Sequence, residues 1–122
     1  MNSTNRPLDA ATRRQLARDA RDAFPPMGVH AIVDRTTGYT RVVASRNVHA
    51  AIQRGQFELR LGGHRDKVLQ AAWKEGGADR IGFEVLALLK QRDDPAHDYD
   101  EELRTLETLY RDEYTTKKKE AP

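Results

Sequence analysis

Residues 28–47 read GVHAIVDRTTGYTRVVASRN, and their pattern decides the fold. Val29, Ala31 and Val33 alternate with His30, Ile32 and Asp34, the period of two expected of a strand covered on both faces. Thr36 to Gly38 supplies a turn, and the chain returns through Tyr39, Thr40, Val42 and Val43 to Ser45, residues that suit a pleated surface. A β-hairpin is expected. Beyond it, Asn47 stands where it can cap a helix carrying Val48, Ala51, Ile52 and Phe57, with Leu59 and Leu61 near its end and Gly62-Gly63 as its stop. A second helix is expected from about Arg65, with Val68, Leu69, Ala72 and Trp73 as one apolar stripe, ended by Gly76-Gly77. His64, just before it, reads as an N-cap or a loop-packing residue. Ile81, Phe83, Val85 and Leu86 then read as a third strand.

Outside this block the chain is helical. Pro7 followed by Leu8 to Phe24 predicts a helix with Leu16, Ala20 and Phe24 on one face, ended by Pro25-Pro26. Its charges, Arg18 and Asp22 among them, read as solvated ion pairs. Gln91 to Asp98 is a loop. From Tyr99 onward, Leu103, Leu106, Leu109 and Tyr110 predict a closing amphipathic helix, followed by a frayed polar tail, TTKKKEAP. The order α-β-β-α-α-β-α predicts an α+β domain: a small three-stranded sheet, antiparallel or mixed, covered by helices. The expected bounds are a helical extension over 1–27, the domain proper over 28–114, and the tail over 115–122.

Composition narrows the function classes. At 122 residues the chain is one domain, long enough to bury about two-thirds of its unfolded surface. No apolar run approaches the roughly 18 residues of a membrane span, and no apolar leader follows the polar opening MNSTNRPLD, so a cytoplasmic protein is expected. With no cysteine there is no disulfide, thiolate metal site or thiol nucleophile. The net charge of +2 is unevenly spread. Residues 1–90 hold 15 Lys and Arg against 9 Asp and Glu, and residues 91–122 hold 6 against 10. A basic body with an acidic last helix suits a polyanion on one face or a solvated surface of mixed charge.

Gly28-Val29-His30 at the head of the first strand and Arg41-Val42-Val43, followed by Ala44-Ser45, on the second resemble the paired motifs of the GIY-YIG nuclease superfamily. Phage homing endonucleases and the incision domain of bacterial excision-repair nucleases belong to that family. Later blocks also resemble it: Ser45-Arg46-Asn47, Phe57-Glu58-Leu59 through Gly63-His64, Leu69-Gln70 with Trp73 and Gly77, Phe83-Glu84-Val85-Leu86, and Leu106-Glu107 with Tyr110. The resemblance spans residues 28 to 112. It implies the family's sheet-and-helix fold and one-metal hydrolysis of a phosphodiester, with a tyrosine serving the attacking water, an arginine offsetting charge and a helix glutamate holding a divalent cation such as Mg²⁺.

Carried over residue by residue, the catalytic positions are His30, Arg41 and Glu107, with Glu107 the metal position. The motif glycine falls on Val43, the helix arginine on Ala51 and the polar residue a turn later on Gly55, while the family's terminal asparagine has no counterpart. Such losses imply a scaffold kept and its chemistry abandoned: a pseudoenzyme needing no cofactor, with Mg²⁺ required only if nuclease activity survives. Read without the family, Glu107 is one of many surface carboxylates and His30 a hydrogen-bonded histidine at a sheet face. The four histidines lack metal-ligand spacing. Trp73 and Phe83 occupy core positions.

Arg41, Arg46, Arg54, Arg60, Arg65 and Lys67 cluster near what would be the family's substrate face, a candidate contact surface for DNA or RNA. Three functions stay open at this point. The chain is a non-cleaving accessory or regulatory nucleic-acid binder, a homodimer or protein-interaction module that docks through its terminal helices, or a metal-dependent endonuclease using His30 and Glu107.

Overall fold

The computed structural model describes residues 9–15 and 24–120, with side chains described through residue 115. Residues 10–15 are helical; most of the expected N-terminal helix, including Arg18 and Asp22, lies outside the described residues. Strands β1 (Gly28–Asp34) and β2 (Thr40–Ser45) form the expected hairpin, antiparallel, with His30 opposite Val43 and Ile32 opposite Arg41. Asp34 builds its turn. Its Oδ1 accepts from the Thr36 N–H at 3.0 Å and its Oδ2 from the Thr37 hydroxyl at 2.9 Å. Gly38 closes the turn at φ +81°.

Helix α1 (Val48–Leu61) begins at Asn47, whose side chain accepts from the Ala50 N–H at 3.1 Å, and ends at Gly62 in the left-handed region at φ 85°. Helix α2 (Lys67–Gly76) is followed by a 3₁₀ turn (Gly77–Asp79) and strand β3 (Ile81–Leu88). β3 pairs antiparallel with β1, so the strand order is β2-β1-β3 and the sheet has no parallel pair. The register slips at Val29/His30, where Val29 faces Ala87 and His30 faces Val85, leaving Leu86 as the extra residue of a bulge. Helix α3 (Tyr99–Glu120) closes the domain. Its first turn holds Asp100, Glu101 and Glu102, where acids favour a helix N-terminus. It runs on through residues 115–120, a stretch the sequence pattern assigns to a polar tail.

Period-two geometry gives the sheet two unlike faces. Ile32 joins Leu59, Leu69, Ala72 and Ile81 in the core under α1 and α2, with Tyr39, Val43, Trp73 and Phe83 packed around it. The other cluster joins Met27, Leu89 and Leu103 to Phe24, Ala44, Tyr99 and Leu106, under α3. Three expected stripe residues lie outside these cores. Phe57 is 54% exposed and two positions from buried Leu59, so it falls on the opposite side of α1; Val68 and Leu109 are 52% and 59% exposed. Leu61, at the end of α1, is 70% exposed.

Arg80 ties the hairpin to the start of β3. Its Nε and Nη2 donate to Asp34 Oδ1 and Oδ2 at 2.8 and 2.9 Å, and Nη1 donates to Glu75 at 2.7 Å. The Arg80 guanidinium holds the Asp34 carboxyl well below the usual carboxylate range. Among the described residues no helix is long and apolar enough to cross a membrane.

Candidate nucleic-acid interface

The hairpin, α1 and the α1–α2 loop enclose a cleft of about 240 Å³. β1 contributes His30 and Ile32; β2 contributes Arg41 and Val43; α1 contributes Ala51, Arg54, Gly55 and Glu58; the loop contributes His64 and Arg65. The helical contribution follows from periodicity, because positions 51, 54, 55 and 58 share one face of α1. Gly55 lets the helix approach the sheet: a Cβ there would stand 3.3 Å from the Phe83 ring and 4.0 Å from His64 Nε2.

The loop that presents His64 and Arg65 is built on Asp66. Its Oδ1 accepts from the N–H groups of Val68 and Leu69 at 3.0 and 3.1 Å, so Asp66, rather than His64, is the N-cap of α2. Its Oδ2 accepts from the Tyr39 hydroxyl at 2.8 Å and stands 3.5 Å from Arg41 Nη1. The Asp66 N–H donates to His64 Nδ1 at 3.0 Å. Burial pushes the Asp66 carboxyl upward, but the Tyr39 hydroxyl, the two helix amides and Arg41 outweigh it and hold it below its ordinary value. The His64 N–H in turn donates to Gln70 Oε1 at 2.9 Å, and Gln70 Nε2 donates to the Leu59 carbonyl at 3.0 Å.

Both cleft histidines are buried, and burial lowers the proton affinity of each. For His64, Arg41 and Arg65 act in the same direction, against Glu58 and Asp66. With Nδ1 accepting from a backbone amide, the neutral His64 ring carries its proton on Nε2 and acts as an uncharged donor. His30 stacks near Phe83, ring centroids 6.4 Å apart, and among the described residues its buried Nδ1 has no hydrogen-bond partner. The flanking strands present apolar Val43 and Val85 opposite it.

The candidate residues do not all meet. Arg41, Arg54 and Arg65 line the cleft with His30. Arg46 does not; it is paired with Asp100 of α3 at 2.8 Å. Arg60 and Lys67 are exposed on their helices outside the lining. Glu107 is also outside it. Its Oε2 accepts from the Ala44 N–H of the edge strand at 3.0 Å, and its Oε1 accepts from Arg111 at 2.9 Å. Glu58 is a lining residue that the sequence reading leaves unassigned, although its place one turn beyond Arg54 on the face of Ala51 is a usable signal.

Both Glu107 oxygens are engaged by donors, and no group of three His, Cys, Asp or Glu among the described residues could hold a metal ion.

The fold is similar to that of two solved catalytic domains. The catalytic domain of the homing endonuclease I-TevI matches with a TM-score of 0.59 at 16% identity, over 73% of this chain and 88% of that chain. A mutant of the catalytic domain of the intron endonuclease I-TevI matches with the same TM-score at 14% identity, over 75% of this chain and 86% of that one. No protein-family profile and no curated protein matches the sequence. At these identities the likeness is one of fold, and it is the fold that the GVH and RVV motifs imply.

Proposed function

We infer that this chain binds the backbone of nucleic acid in the His30–Arg41–Arg54–Arg65 cleft without cutting it, and so serves as an accessory or regulatory protein on a nuclease fold. One observation carries the reading. Arg54 and Arg65 line the same cleft as Arg41, and neither has an ion-pair partner among the described residues, whereas Arg46, Arg80, Arg92 and Arg111 are each tied to a carboxylate. Guanidinium groups with free donors in one concavity suit phosphate oxygens, which they grip through two parallel N–H bonds.

Val43, Ala51 and His64 argue for holding a phosphodiester rather than hydrolysing it. Val43 and Ala51 bring no polar atom, and neutral His64 is fixed as a donor and is not free to take a proton from water. Glu107, already bound to the sheet edge and to Arg111, is spent on structure.

Fluorescence anisotropy of labelled duplex DNA, single-stranded DNA and RNA tests the reading, with and without Mg²⁺ and with the products run on a gel. Binding that weakens steeply between about 50 and 200 mM salt, with the strands left intact, is expected. Strand cleavage that needs Mg²⁺ and vanishes in Glu107→Ala would instead identify an endonuclease. Absence of binding to all three would turn attention to protein partners of the terminal helices.

A further inference from the structure

Glu58 is out of place in a cleft that serves only to attract phosphate. It lines the wall beside Arg54 and Arg65, yet among the described residues its carboxylate makes neither a hydrogen bond nor an ion pair. A bare carboxylate beside a docked phosphate repels it, so a pure anion cleft would bind better with alanine there. The carboxylate becomes favourable when the ligand brings a hydrogen-bond donor alongside the phosphate, since an ionised carboxylate only accepts. In a nucleic-acid backbone that donor is the ribose 2′-hydroxyl, present beside every phosphate of RNA and absent from DNA.

We propose that the cleft selects RNA over DNA, with the phosphate on Arg54 and Arg65 and the adjoining 2′-hydroxyl donating to Glu58. His64 fits this arrangement, because its Nε2–H, held by the Asp66 amide on the other side of the ring, adds a donor without adding charge. The proposal rests on the nucleic-acid-binding reading and names the polymer that it concerns.

The test is anisotropy with labelled single strands of one sequence made as RNA, DNA and 2′-O-methyl RNA, against the full chain and its Glu58→Ala and Glu58→Gln variants. The wild type binds RNA about tenfold more tightly than either other strand, the range of one hydrogen bond to a charged group. Glu58→Ala binds all three alike, and binds DNA more tightly than the wild type does because a repelling charge is gone. Glu58→Gln, which keeps an acceptor oxygen, retains part of the preference. Equal wild-type affinity for RNA and DNA overturns the proposal while leaving the nucleic-acid reading intact, as does a preference that survives Glu58→Ala. Equal affinity for RNA and 2′-O-methyl RNA overturns it too, because the methylated strand has no 2′-hydroxyl to donate. Binding of no strand overturns both readings together.

Discussion

The backbone N–H of Asp66 donates to Nδ1 of His64 at 3.0 Å, and this one bond settles which form of the imidazole the cleft accepts. A protonated ring would turn a second N–H toward the Asp66 amide and lose its acceptor there. Burial disfavours the charged ring as well, at His64 and at His30. The folded-state affinity for a proton is therefore below that of the unfolded chain, which titrates near pH 6.5. As pH falls through that value the unfolded state takes up protons that the folded state refuses, so stability declines on acidification. Thermal melts between pH 7 and pH 5 should show a falling midpoint, with a shallower fall in His64→Gln. A midpoint that is level across this range would contradict the burial of the two rings as neutral groups.

Gly28 opens the hairpin, and a Cβ at this position would collide with the backbone carbonyl of Ala87 on β3. The obstacle is main chain in a paired strand, so no side-chain rotation relieves it. Gly28→Ala is expected to cost several kcal/mol and to leave little folded protein, as read by circular dichroism or by recovery of soluble chain. Gly63→Ala is a fair control, because open space surrounds a Cβ there. A stable Gly28→Ala protein would mean that β1 and β3 are less closely apposed than described.

Glu107 braces the sheet edge through the Ala44 N–H. Removing its carboxylate strands the Ala44 N–H at the sheet edge, a loss of about 1 kcal/mol, or about 5 °C in melting temperature. Mg²⁺ is expected to leave the melting temperature of the wild type unchanged, since a bound cation would raise it by mass action. A Mg²⁺-dependent rise that Glu107→Ala abolishes would restore the metal position that the family resemblance implies.

The fold was legible where side-chain chemistry and backbone period agree. The alternation through Val29, Ala31 and Val33, the Asn47 cap and the glycines that end α1 and α2 are each visible as residues and each found in place. Apolar stripes were less reliable, because Phe57, Val68 and Leu109 lie where the three-stranded sheet offers nothing to cover them. The cleft was half legible. Arg54 and Arg65 follow from the basic clustering, but Arg46 was claimed by Asp100, more than fifty positions away, and such a pairing has no local signal. Asp66 was hidden for a similar reason: its contact with Tyr39 joins the α1–α2 loop to the hairpin turn, which only the folded chain brings near.

Asp34 gives a further check at lower pH. Its carboxyl is held below its ordinary value by Arg80, so its contribution is full above about pH 4, the unfolded carboxylate value, and is lost as pH falls toward the folded one. Asp34→Asn should therefore melt below the wild type at pH 7, with the difference shrinking in melts taken at pH 3 and below. A difference that does not change with pH would assign the effect of Asp34 to turn geometry alone.

If Arg54 and Arg65 hold nucleic-acid phosphate in the cleft, the salt dependence of RNA binding differs between the wild type and Arg54→Glu/Arg65→Glu. Each phosphate contact adds about one to the slope of log affinity against log salt concentration. The double variant is expected to bind more weakly, with a slope smaller by about two. An unchanged affinity and slope would contradict it.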